Sequence, residues 1–227
     1  MENKDFFQHF EASVKSACQI DPSLFEKYDV KRGLRNSDGS GVLVGLTNVG
    51  QVIGYEKEGD KVIPVPGRLL YRGIDIEKIV EGFQKDNRHG FEETVYLLLS
   101  GKLPGREDLD YFTKYLASLR PLPDEFTKDM ILSMKGRNVL NILARSVLGL
   151  YTLDDNPDNI STDNMIRQSL NMIAKFPTIV AYSYQALRHM FQGKTLSIRH
   201  SQPNLSTAEN FLYLLKGDCN GFSKIEA

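Results

Sequence analysis

Apolar residues recur with two different periods along the chain, and the change of period divides it. Between residues 3 and 18, Phe6, Phe7, Phe10, Val14 and Ala17 fall close to helical spacing, which predicts an amphipathic helix. Residues 19–40 are mixed and turn-rich. From 41 to 72 the texture is different: "GVLVGLTNVGQVIGYEKEGDKVIPVPGRLLYRG" has short β-branched and aromatic runs cut by Gly, Asn-Val-Gly, Glu-Gly-Asp and Pro-Gly. That pattern predicts a small antiparallel meander. Beyond residue 73 the period becomes helical. "IDIEKIVEGF" carries Ile74, Ile76, Ile79 and Val80, and "FEETVYLLLSG" carries Phe91, Val95, Leu98 and Leu99 on one stripe, with Glu92 and Glu93 in its first turn and Gly101 at its stop. "REDLDYFTKYLASL" and "DEFTKDMILSM" follow, separated by "RPLP". "NVLNILARSVLGLY", a long "STDNMIRQSLNMIAKFPTIVAYSYQALRHM" and a final "STAENFLYLLKG" complete the series. The expected fold is mainly α: an N-terminal helix and turn-rich segment over 1–40, the meander over 41–72 and a multi-helical portion over 73–227.

The long helix sets two further expectations. Pro177 removes a backbone donor and should kink it unless a helix boundary falls there. Ala174, Ile179, Val180, Ala181, Ser183 and Ala186 spread around more than one face, and a helix apolar on several sides must be buried on several sides. Neighbouring helices cover one side and a second subunit is the natural cover for another. Self-association through the helices at about 138–152 and 162–190 is therefore expected.

Composition narrows the partners. Hydrophobic residues make up 41% and charged residues 25% of the 227, with a net charge of −1, so no basic field points to nucleic acid or an anionic membrane. Cys18 and Cys219 are far apart and form no metal-ligand spacing, which suits reduced thiols. The N-terminus has no basic start followed by an apolar run, and no stretch approaches the roughly 18 apolar residues of a membrane span. A cytoplasmic chain is expected.

Several stretches imitate functional motifs. "RHMFQGKTLSIRH" ends like a phosphate loop at Gly193-Lys194-Thr195, but the position five before Gly193 is Arg188, and a helix rather than a strand precedes it. A helix C-terminus broken by Gly193, with Arg188 and His189 at the negative end of the dipole, accounts for it better. His200 reads as a surface histidine, and His89, ahead of a helix, as a solvated one. "DDNPDNISTDN" imitates a calcium loop, yet position 6 from Asp154 is Asn159 and position 12 is Met165. An acidic inter-helix loop capped at Ser161 or Thr162 is expected instead. "GSGVLVG" at 39–45 has the wrong glycine spacing for a dinucleotide loop.

Five segments occur in an order that carries more information: "GLRNSDGSGVLVGLT" (33–47), "GRLLYRGIDIEKI" (67–79), "FEETVYLLLSGKLP" (91–104), "AKFPTIVAYSY" (174–184) and "LSTAENFLYLL" (205–215). Together they resemble the N-terminal part of the large helical domain of citrate synthases, particularly bacterial ones, from about residue 30 onward. "NVGQVIGYEKEGDKVIPVP" looks like a subgroup insertion between the first two.

The resemblance implies a reaction. Condensing acetyl-CoA with oxaloacetate needs a carboxylate to take a methyl proton, neutral donors to hold the enolate and cations to clamp the dicarboxylate. Citrate synthases are similar in placing these groups on a His-Ala-Asp/Glu-His segment with a following Asn-x-Ser-Thr, on a Gly-Pro-x-His-Gly-Gly loop and on later Asp and Arg residues. None of those motifs is in this sequence, which stops at "GFSKIEA". The expectation is a fragment lacking the small domain, with no catalytic residue of its own, no metal and no tightly bound cofactor, acetyl-CoA being the parent's substrate. One contact is implied to remain: Arg35, in the segment where some family members bring an Arg to the coenzyme A phosphates. The dimer expectation also resembles the family, whose subunits pack the corresponding helices about a two-fold axis. The alternative is a non-catalytic, dimerising scaffold or regulator descended from the enzyme.

Overall fold

The structure, a computed structural model, describes residues 21–28, 33–36, 38–41, 47–59, 61–134 and 136–217. The helix predicted over 3–18, Cys18, Cys219 and His9 lie outside the described residues. The chain divides into two compact units, Met1–Thr47 and Asn48–Ala227. In the first, α1 (Ser23–Lys27) is a single short helix, and Arg35 and Gly41 form an isolated antiparallel bridge.

The second unit opens with the predicted meander. Strands β1 (Gly50–Glu58), β2 (Lys61–Tyr71) and β3 (Ile74–Asp75) form an antiparallel sheet in the order β1-β2-β3. Glu58 opposes Lys61 at the hairpin tip and Gly50 opposes Tyr71 at its base, with a register shift between Ile53 and Tyr55. Among the described residues its strands start at Gly50, and the sheet runs on past residue 72 to Asp75. Ile74, expected in a helix, instead closes a two-residue turn. That turn holds Arg72 at φ 49° and Gly73 at φ 81°, the left-handed pair that matches strand twist in a tight hairpin. Positive φ is costly for a side chain as large as arginine's, and Arg72 is tied down accordingly. Its Nε and Nη2 donate to the Leu98 carbonyl at 3.0 and 2.7 Å, and Nη1 donates to Asn48 Oδ1 at 2.6 Å.

Helices follow to the end of the described residues. α2 (Ile76–Lys85) starts at Asp75, whose Oδ1 accepts from the Glu77 amide at 3.1 Å. α3 (Phe91–Ser100) and α4 (Arg106–Leu119) come next. α5 (Asp124–Phe126) passes directly into a π-helical segment, Thr127–Ser133, where an ordinary α-helix was expected. The wider π turn aligns residues five apart, and Phe126 and Ile131 are both buried in the main core. α6 (Val139–Leu150) ends in a 3₁₀ turn, Tyr151–Leu153. α7 (Thr162–Gln192) starts at Ser161, whose hydroxyl accepts from the Asn164 amide, and passes through Pro177 as one helix. The missing proline donor therefore costs α7 a bond without ending it. α8 (Thr207–Lys216) is the last. The core gathers Phe126, Ile131, Ile179, Ala181, Tyr182, Ala186 and Leu214 around the middle of α7.

Two sequence-based face assignments need correction. The buried positions of α3 are Glu92, Glu93 and Leu97, while Phe91 and Leu99 are exposed. In α7, Ala174, Ile179, Ala181, Ser183 and Ala186 are buried against the chain's own helices. Those residues are not available to a partner.

Candidate functional site

Arg35 stands in a tight loop built by local hydrogen bonds. The Asn36 amide donates to the Ser40 carbonyl at 2.8 Å and the Gly39 amide to the Asn36 carbonyl at 3.0 Å. Asp38 Oδ1 accepts from both the amide and the hydroxyl of Ser40, at 2.9 and 2.7 Å. Arg35 itself is exposed, and its Nη1 donates to the Gly39 carbonyl at 2.9 Å. An exposed guanidinium offers five N–H groups in a rigid fork suited to phosphate oxygens.

A polar cluster surrounds the N-terminus of α8. Ser206 and Glu209 form a capping box: the Glu209 amide donates to Ser206 Oγ at 3.3 Å, and Glu209 Oε2 accepts from the Ser206 amide and hydroxyl at 2.8 and 2.7 Å. The next amide, Thr207, donates to Glu92 Oε1 of α3 at 2.7 Å. Arg120, just past α4, reaches in from the other side. Its Nη1 donates to the Leu205 carbonyl at 2.7 Å, its Nη2 donates to Thr207 Oγ1 at 3.1 Å, and Glu92 lies 3.5 Å away. Arg120 is 1% exposed and Glu92 3%. Burial pulls the Arg120 guanidinium down from the usual arginine range, while the charges of Glu92 and Glu209 oppose that. Thus three helices are tied at one point by charge-assisted bonds, which roughly double the strength of neutral ones. The capping box was readable in "STAE". The roles of Glu92 and Arg120 were not, because one looked like a solvated first-turn acid and the other like part of a separator.

The described histidines, His89, His189 and His200, do not assemble a site. His189 Nδ1 contacts the Lys194 carbonyl at 2.9 Å beside Gly193, which ends α7 at φ 64°. Gly193-Lys194-Thr195 is a helix stop, as its context predicted, and His200 is exposed. His89 is not simply solvated: its side chain is 26% exposed and its Nε2 lies 3.5 Å from Glu209 Oε1. The acidic loop before α7 is held by Asp154, which pairs with Arg167 and accepts from the Asn156 amide at 2.9 Å. Among the described residues, no group of three or more His, Cys, Asp or Glu could hold a metal ion, and no helix is long and apolar enough to cross a membrane.

Apolar surface also remains open. A groove of about 710 Å³ is lined by Phe91, Val147, Met172, Phe176, Pro177 and Phe211, among others. Along α6, Leu140 and Leu148 are 74% and 76% exposed. Met165, Met172 and Phe176 stand out from α7 at spacings that keep them on one face.

The described residues form a mainly helical fold with a small antiparallel sheet and charged ties at its helix ends. The family model described as "Citrate synthase, C-terminal domain" matches residues 38–227. The citrate synthase of Saccharolobus solfataricus is 30% identical over 183 residues, covering 81% of this chain and 41% of that protein. 2-Methylcitrate synthase 1 of Corynebacterium glutamicum is 30% identical over 162 residues, covering 71% of this chain and 39% of that protein. The crystal structure of the Thermotoga maritima citrate synthase superposes with a TM-score of 0.59 at 27% identity, covering 84% of this chain and 42% of that one. The chain belongs to the citrate synthase family. It spans about two fifths of the length of the curated relatives it matches.

Proposed function

We propose that these 227 residues are scaffold of a citrate synthase whose complete form condenses acetyl-CoA with oxaloacetate to give citrate and CoA, and that they catalyse no turnover by themselves. The observation that carries this is the family match over residues 38–227 in a sequence without a His-Ala-x-His segment or a Gly-Pro-x-His-Gly-Gly loop. The chemistry needs a base for the methyl proton and donors for the enolate. Losing even one positioned donor costs about 10²–10³ in rate. The reaction needs no metal and no tightly bound cofactor, because the thioester itself acidifies the methyl group. Arg35, exposed and with its Nη1 donating to the Gly39 carbonyl, is the candidate contact for a coenzyme A phosphate. A cytoplasmic setting suits the proposed substrates.

We also propose a homodimer through α6 and α7, supported by the exposed apolar residues of both helices and the open groove beside them. The test of the catalytic reading is thiol release from acetyl-CoA with oxaloacetate present. Background rates are expected, and turnover within about a hundredfold of a complete relative overturns it. A coenzyme A titration of the same chain and its Arg35→Ala variant tests the contact. Binding about threefold weaker in the variant is expected, and equal binding removes Arg35 from the site.

A further inference from the structure

Lys175 of α7 stands half-buried in the wall of a cavity of about 450 Å³, together with Leu150, Tyr151, Asp154, Arg167 and Met172. Its Nζ donates to the Leu119 carbonyl, the last of α4, and to Asn171 Oδ1, both at 2.8 Å. Both acceptors are neutral, and Lys175 makes no ion pair among the described residues. The other ionisable groups of the wall are engaged with different partners. Asp154 pairs with Arg167, and the Tyr151 hydroxyl donates to the Asp158 carboxylate at 2.9 Å. An ammonium group half out of water and without an anion is in an unfavourable setting. Burial accordingly draws the Lys175 amine below the usual lysine range.

The hydrogen bonds around Nζ suit the neutral amine. An ammonium has three N–H groups and no lone pair, whereas a neutral amine has two N–H groups and one lone pair. Two acceptors take those two N–H groups, and the lone pair keeps the remaining direction. Such an amine is a nucleophile, and desolvation is one of the ways in which a lysine is activated for that role.

We propose that Lys175 is an acylation site whose amine, inside this cavity, takes the acyl group of a small acyl thioester. The lone pair attacks the thioester carbonyl carbon, a C–N bond forms and the C–S bond breaks. Sulfur leaves as thiolate and takes up the proton that nitrogen releases. The products are an amide and a thiol, and nothing is oxidised or reduced. Leu150 and Met172 give the acyl chain an apolar wall to lie against. The amide retains one N–H, so either the Leu119 carbonyl or Asn171 loses its donor. Acylation therefore loosens the tie between α7 and the end of α4. The inference needs only the thioester and this chain, and stands apart from the condensation proposed above.

The test incubates the whole 227-residue chain with limiting S-acetyl-N-acetylcysteamine. Peptide mass spectrometry then follows acetylation at Lys175 and at Lys114, an exposed lysine of α4. At neutral pH Lys175 is expected to react about three- to tenfold faster. The ratio should narrow above about pH 10, where exposed lysines lose their proton as well. Equal or slower reaction of Lys175 at neutral pH overturns the proposal. A second measurement repeats the reaction in guanidinium chloride, which abolishes both the burial and the cavity. The ratio is then expected to fall to about one. A ratio that survives unfolding shows that the local sequence, not the cavity, sets the rate, and it refutes the assignment.

Discussion

Arg120 shows what one side chain does at the residue scale. Its guanidinium is out of water, and it is held by one carbonyl, one hydroxyl and one carboxylate. A charge in that position is tolerable only while its partners remain. Arg120→Ala is expected to cost about 3–5 kcal/mol in denaturant unfolding, because Glu92 is left buried without its cation and the start of α8 loses two contacts. The double variant Glu92→Gln, Arg120→Met should cost clearly less than the two single changes added together, since neither charge is then stranded. Additive costs would mean that the pair is not coupled. Legibility was poorest at this scale. Glu92 and Glu93 fell where helix-dipole rules put solvated acids, and only the approach of Arg88, Arg120 and α8 accounts for their burial. Ala181 misled in the opposite sense: a small apolar residue at helical spacing has the same pattern whether its own domain or a second subunit covers it.

At the scale of elements the sequence was far more legible, because periodicity and end signals are local properties. Ser161 caps α7, Gly101 and Gly193 stop their helices in the left-handed conformation, and "STAE" caps α8. The π segment was not legible. Its residues satisfy an α period equally well, and the choice is made by Phe126 and Ile131 meeting one core. The boundary at Ile74 was missed because the Arg72-Gly73 turn requires a positive φ from an arginine, which no local rule favours. Gly193 gives the element-scale prediction. At φ 64° a Cβ is strained, although no neighbouring atom lies near one placed there. Gly193→Ala is therefore expected to destabilise the chain by about 1–2 kcal/mol, and Gly193→Asn by less, in thermal or denaturant melts. A neutral alanine would show that the end of α7 is free to relax.

For the whole molecule, the decisive quantity is how much apolar surface remains after the helices have packed. Leu140 and Leu148 on α6 expose three quarters of their surface, and Met165, Ile166, Met172 and Phe176 extend the exposed set along α7. Contiguous exposed apolar surface marks an interaction site, and a two-fold pairing of these helices would bury each patch against its own copy. The buried face of α7 allows this to be tested cleanly. Leu148→Glu places a charge on the open surface, whereas Ala181→Glu places one at a fully buried position in the core. Light scattering of the wild type is expected to give twice the chain mass. Leu148→Glu should halve it while leaving the far-ultraviolet circular dichroism unchanged, and one substitution should act twice because a two-fold pairing repeats every residue. Ala181→Glu should lose cooperative folding instead of merely dissociating, since it buries an unpaired charge. A wild-type chain that stays monomeric at high concentration, or a Leu148→Glu chain that remains a folded dimer, would remove α6 from the interface.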